Sequence, residues 1–171
     1  MWYVMQVFTG KEENTKLQCE KLKELYPLAF EKIIIPYAKN RMKYGNNWEL
    51  VKKVLFPGYI FIVTDNLNEC LKLIKKVEGM TKILGDGEVM IPLSKDEEYL
   101  LLRLGGEEQV VEISEGMIEG TKVIITDGPL KGLETMIRKI DRHKRKAFIE
   151  VEMLGGHRMV SVGLEIIKKQ V

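Results

Sequence analysis

The sequence predicts an α+β protein in two parts. The first is an open α/β sandwich over residues 1–104, a mainly antiparallel sheet with helices packed on it. The second is a small five-stranded β-barrel over 119–171. Three observations predict this. Up to residue 104, β-branched and aromatic runs alternate with amphipathic stretches of helical period. Residues 105–118, opened by Gly105-Gly106-Glu107-Glu108, break that pattern and read as a linker. Beyond them helical periodicity stops, and short strands recur at barrel spacing.

The elements follow in order. Residues 2–8 are aromatic and β-branched, a strand ended by Thr9-Gly10. Residues 11–26 place Leu17, Leu22 and Leu25 among charges, an amphipathic helix stopped by Pro27. A strand over 30–37 leads into a polar stretch at 38–49, the tip of a hairpin whose return strand is 50–56. Pro57-Gly58 turns the chain into a central apolar strand at 59–64. Asp65 or Asn66 caps a second helix reaching about residue 77, closed by Gly79. A short strand at 83–84 and a turn at 85–87 come next. Ser94-Lys95-Asp96-Glu97 is a capping box that opens a third helix to about 104. The barrel strands are expected at 122–126, 134–140, 147–153, 159–162 and 165–168, with Gly155-Gly156 as a tight turn.

Composition bounds the function. Among 171 residues, 45% are hydrophobic and 30% charged, as in an ordinary globular chain. No apolar run is long enough to span a membrane and no signal peptide opens the chain, so a cytoplasmic protein is expected. Cys19 and Cys70 can pair in principle. Placed within predicted helices, they are read as buried thiols of a reducing compartment. The net charge is only +2, but residues 119–171 carry 11 Lys+Arg against 7 Asp+Glu. The C-terminal part is therefore the one suited to a polyanion.

No cofactor, metal site or enzymatic activity is expected. His143 and His157 lack ligand spacing with each other or with the cysteines. Gly128-Pro129-Leu130-Lys131-Gly132 lacks the ending of a phosphate-cradling loop.

Two segments carry a resemblance. Thr121-Lys122-Val123-Ile124-Ile125-Thr126-Asp127-Gly128-Pro129-Leu130-Lys131-Gly132 is a strand closed by a glycine-bounded turn, with Gly128 and Gly132 suited to positive φ. Upstream, Leu55-Phe56-Pro57-Gly58-Tyr59-Ile60-Phe61-Ile62 sits mid-domain, after an opening Trp2-Tyr3-Val4. In this order they resemble the NusG family of transcription factors, with an N-terminal NGN domain and a C-terminal KOW domain of SH3-like barrel fold. The resemblance covers essentially the whole chain.

That resemblance implies partners and sites. It implies docking of the NGN sheet on the clamp helices of the largest RNA polymerase subunit. The matching residues are Tyr59 and Phe61, with Met5 beside them and Phe56 as a further member; read from the residues alone, Tyr59 and Phe61 serve equally as core. It places the face near Lys72, Lys75 and Lys76 close to the non-template DNA strand, although lysines on such a helix are also an ordinary solvated face. Lys39, Arg41, Lys43, Lys52 and Lys53 flank the hairpin and can approach DNA too. Where relatives carry aromatics that bind ribosomal protein S10 or termination factor Rho, this chain has Leu130, Leu133, Met153 and Leu154. These form an apolar patch or simply close the barrel.

The distinctive chemistry is Arg142-His143-Lys144-Arg145-Lys146, in the loop between two barrel strands. Neighbouring donors of this kind contact several phosphates at once. Arg138, Lys139 and Arg158 lie near them in sequence. This loop, the aliphatic replacements and the ending Val162-Gly163-Leu164-Glu165-Ile166-Ile167-Lys168-Lys169 resemble LoaP proteins, specialised NusG paralogs. That group implies processive antitermination and recognition of an RNA hairpin in the nascent leader transcript. A monomer is expected. The competing expectations are a housekeeping NusG coupled to Rho or the ribosome, and a KOW-type RNA-binding module with no polymerase role.

Overall fold

The computed structural model describes residues 1–79 and 90–170. The strand and turn expected at 83–87 lie outside the described residues. In chain order the elements are β1 (Trp2–Gln6), α1 (Glu12–Leu25), β2 (Lys32–Ile34), β3 (Tyr37–Tyr44), β4 (Asn47–Val54) and β5 (Tyr59–Val63). They continue with α2 (Leu67–Ile74), β6 (Ile91–Pro92), α3 (Lys95–Gly105), β7 (Val110–Val111) and β8 (Ser114–Glu119). The chain ends with β9 (Lys122–Asp127), a 3-10 turn (Glu134–Met136), β10 (Ile137–Asp141), β11 (Lys146–Met153) and β12 (Gly156–Gln170). Helices and largely antiparallel sheets together give the expected α+β class.

The chain divides into two compact units. One is Met1–Ile35 with Phe56–Glu98; the other is Pro36–Leu55 with Tyr99–Val171. The β3–β4 hairpin therefore belongs with the C-terminal residues, although in sequence it interrupts the first unit.

In the first unit, β5 and β1 are central in an antiparallel sheet ordered β2-β5-β1-β6. Register sorts the side chains. Tyr3, Ile33 and Ile62 share one face with Met5 and Ile60, and all five are buried. The other face carries Val4, Phe61 and Ile34 in a row, then Gln6 opposite Tyr59.

Helix α1 corrects the sequence expectation. Leu17 and Leu25 are exposed, and the buried residues are Glu12, Thr15 and Cys19. The packing stripe is set by tertiary contacts that a leucine count does not reveal. Glu12 explains much of it. One carboxylate oxygen accepts the Gly58 N–H at 2.7 Å, and the other accepts the Gly10 N–H at 2.9 Å. It thereby ties the turn before β5 to the start of the helix. Asn66 caps α2 through its side-chain oxygen. Ser94 and Glu97 close a reciprocal capping box ahead of α3, as the sequence predicts.

The second unit holds two sheets. One is ordered β4-β3-β7; the other is five-stranded, ordered β10-β11-β12-β8-β9. The hairpin strands run further than expected, so its tip is only Gly45-Asn46. The stretch expected as a linker contains β7 and most of β8. The two expected closing strands are a single strand, β12. Its first half pairs antiparallel with β11, and its second half pairs parallel with β8.

Two glycines make this arrangement possible. Gly128 has φ +97°, and a Cβ there would stand 2.6 Å from the Ser114 Cα. No side chain fits where the end of β9 crosses the start of β8. At Gly163, midway along β12, a Cβ would lie 2.6 Å from the Lys39 carbonyl oxygen and 2.7 Å from Ile113. Its absence lets β12 lie against β3. Leu130, Ile149, Met153 and Leu164 fill the core of this unit.

Candidate nucleic-acid interface

Strands β10 and β11 present the basic loop. Asp141 ends β10, and its Oδ1 accepts the Lys144 N–H at 3.0 Å, an Asx-type closure. That bond, followed by the charges of Lys144, Lys139 and Lys146, holds the Asp141 carboxyl below its usual range. Arg145 adopts φ 52°, and its N–H donates to the Arg142 carbonyl. Arg142, His143 and Lys144 are consequently exposed at the tip.

Arg145 does not join them in solvent. Its guanidinium lies 4.1 Å from the centre of the Trp48 ring and 3.6 Å from a Glu165 carboxylate oxygen. The same carboxylate accepts from Arg41 Nε on β3. The Leu164 N–H donates to the Arg145 carbonyl at 3.0 Å. The loop, the hairpin and β12 are thus clamped by one shared acid and one cation–π contact.

This clamp borders a groove of about 360 Å³ between hairpin and loop. Arg41, Lys43 and Lys53 line the hairpin side; His143, Lys144 and Lys146 line the loop side. Among the described residues no acidic one lines it. The cations of β3 and β4, which in sequence resemble a separate surface, therefore join the loop cations in one basic depression. Trp48, Asn40 and Glu165 were beyond sequence reasoning. Their only signal is a lone aromatic after a Gly-Asn tip and a lone acid in a basic tail.

Four basic residues expected in the loop or beside it, Lys146 of the loop and its expected extensions Arg138, Lys139 and Arg158, behave differently. Lys139 and Lys146 lie on one sheet face with Phe148, their ammonium groups 5.8 and 5.0 Å from its ring centre. Arg138 sits at a β-bulge, committed to Glu150 and the Thr135 carbonyl at 2.7 Å each. Arg158 is a correction. It stands opposite Val151, on the face where Ala147, Ile149, Val160 and Val162 are buried, and so lies behind the sheet from Lys146.

The sheet of the first unit also departs from expectation. Met5 is not beside Tyr59 and Phe61, because the register puts Ile60 opposite it and gives Tyr59 to Gln6. Phe56 and Phe61 are buried, their ring centroids 5.8 Å apart, so they form no exposed aromatic pair. Tyr59 is half-buried, as are Trp2, Gln6 and Ile34 on the same face. Leu130 and Met153 close the core of the second unit and present no patch; Leu133 and Leu154 are half-buried. Lys72 pairs loosely with Glu69 at 3.9 Å. Helix α2 ends at Ile74, leaving Lys75 and Lys76 exposed in the turn beyond it. Cys19 and Cys70 are free and buried, and burial pushes both thiols up to about 12.

A helix-backed antiparallel sheet, followed by a five-stranded sheet bearing a basic loop, defines a two-part α+β protein of NGN-plus-KOW build. The family model described as "Transcription termination factor nusG" matches residues 1–103. The chain belongs to the NusG family, a family of transcription factors. It is 26% identical to the transcription termination/antitermination protein NusG of Thermus thermophilus, covering 98% of this chain and 97% of that one. The same protein of Bacillus subtilis is 28% identical, with the same coverage. A solved structure titled "Domain interaction in Thermotoga maritima NusG" matches with a TM-score of 0.62 at 24% identity. It covers 96% of this chain and 93% of that one, and shows the fold. Among the described residues no helix is long and apolar enough to cross a membrane.

Proposed function

We propose that this protein is a processive antitermination and elongation factor that binds RNA polymerase through its first unit and RNA through its second. The observation that carries the reading is the set of cations around the 142–145 loop, with Arg142, His143 and Lys144 exposed at its tip. Several cations in one place favour a phosphate backbone over a single anion. Within the family we place the chain with specialised paralogs similar to LoaP, acting on transcripts whose leader forms a hairpin. Burial of Leu130 and Met153 removes half of the surface on which Rho or ribosomal protein S10 would be held, and favours this over the housekeeping role.

For polymerase, the half-exposed face bearing Tyr59, Gln6, Ile34 and Trp2 is the docking surface, with Phe61 and Phe56 as its buried support. The clamp helices of the largest subunit are its counterpart. Lys72, Lys75 and Lys76 are exposed and suit the non-template strand.

Transcription by purified RNA polymerase through a terminator, downstream of a leader hairpin, tests the reading. Added protein should raise read-through, and Tyr59→Ala should reduce the gain. Read-through that is unchanged by the wild-type protein, with no polymerase retained in a pull-down, would contradict it.

A further inference from the structure

The groove between hairpin and loop has features that a flat phosphate-binding patch does not need. Its volume of about 360 Å³ falls within the ~300–1,000 Å³ typical of small-molecule sites. Asn40 lies in its lining and is only 5% exposed. Its side-chain amide N–H donates to the Ala38 carbonyl at 3.2 Å, while its Oδ1 has no accessible surface and no hydrogen-bond partner among the described residues. A buried acceptor left unpaired costs about 1–3 kcal/mol, and because this oxygen has no accessible surface a ligand relieves that cost only by turning the side chain toward the groove. Strand β7 pairs only with Tyr37 and Ala38, so beyond Ala38 that edge of β3 has no ladder partner among the described residues, and β12 lies against it at Lys39. Trp48 and Met42 supply apolar wall, and Ser161 a hydroxyl.

The cations around it are available. Arg41 and Arg145 are held by Glu165, but Lys43, Lys53, Lys144 and Lys146 have no ion pair among the described residues. They flank the cavity from both sides.

We propose that this groove receives one unstacked nucleotide from the loop of a structured RNA, an inference that rests on the RNA-binding reading above. Lys43 and Lys53 on the hairpin, with Lys144 and Lys146 opposite, hold the flanking phosphates. Asn40, its side chain turned into the groove, accepts from the 2′-hydroxyl. Single-stranded loops are where RNA bases are free to leave the stack and enter such a cavity. The β3–β4 hairpin is then part of the RNA site rather than a DNA-facing arm.

The test measures binding of a stem-loop RNA pool with a randomised loop, the same stem as blunt duplex RNA, and the stem-loop as DNA. The proteins are wild type, Lys43→Ala plus Lys53→Ala, Asn40→Ala, and Arg142→Ala plus Lys144→Ala. Lys43 and Lys53 are exposed, so their loss should leave the thermal melt unchanged. The inference expects the hairpin double variant to bind stem-loop RNA roughly tenfold more weakly at low salt, with a salt slope lower by about 1–2. Asn40→Ala should lose the preference for stem-loop over duplex while keeping affinity for duplex. Wild-type affinity and slope in the hairpin variant, beside clear weakening in the loop variant, would overturn the inference and leave the RNA reading standing. Equal binding of the DNA stem-loop would also overturn it. A wild-type protein that binds none of the three would defeat the RNA reading itself.

Discussion

At the scale of the residue, Glu12 and Gly128 hold together segments distant in sequence. The Glu12 carboxylate is buried and accepts two backbone N–H groups, those of Gly58 and Gly10. Hydrogen bonds to a charged group contribute about 1.5–3 kcal/mol each. Glu12→Ala should therefore lower unfolding stability by about 2–4 kcal/mol in urea melts, with Glu12→Gln costing less. Gly128 combines φ +97° with a 2.6 Å approach to the Ser114 Cα. Gly128→Ala must move backbone, and should cost about 3 kcal/mol or more in the same measurement. Of these, Gly128 is legible in the sequence, because a strand followed by Asp-Gly-Pro demands a turn. Glu12 is not. An acid at a helix start reads as a dipole partner, and nothing local says that it bonds a turn 46 residues on.

Elements sort themselves by how local their causes are. The Ser94–Glu97 capping box is legible because every participant lies within four residues. The face of α1 is not, because Thr15 and Cys19 are buried while Leu17 and Leu25 are left exposed. The side of the sheet on which Met5 falls depends on register with β5, which periodicity within β1 cannot supply. The basic loop is legible as a loop, yet its internal division is not. Arg145 turns back to Trp48 and Glu165, while Arg142 and Lys144 remain outside.

The loop has a pH signature. The Lys144 N–H and the nearby lysines favour the ionised Asp141 carboxylate, so its folded pKa lies below the ordinary 3.8. A depressed acid pKa gives order that is present above the unfolded value and is lost as pH falls through the folded one. Carboxyl resonances followed by NMR should place the Asp141 midpoint below 3.8, with the Lys144 amide shifting at the same midpoint. Asp141→Asn should leave that amide insensitive to pH.

For the whole molecule, the sequence foretells the α+β class and the family, while the allocation of the hairpin is a tertiary fact. The hairpin is grouped with the C-terminal unit through Gly163, Glu165 and Arg145. Each lies more than 90 positions from the hairpin residue it meets. Seen from the sequence, Lys43 and Lys53 belong to the N-terminal part and the loop to the C-terminal part. In the folded second unit they line one groove.

Direction of this NusG-family chain by RNA, the proposal on which its specialised role rests, is decided by one equilibrium competition. A structured leader RNA and an unrelated single-stranded RNA of equal length compete for wild-type protein and for Arg142→Ala plus Lys144→Ala plus Lys146→Ala, across a salt series. Arg145 is left in place because it belongs to the clamp. The account predicts that wild type prefers the structured RNA by tenfold or more, and that the triple variant loses affinity with a salt slope lower by about 2–3. Equal affinity for both RNAs, or a triple variant with the affinity and slope of wild type, would contradict it.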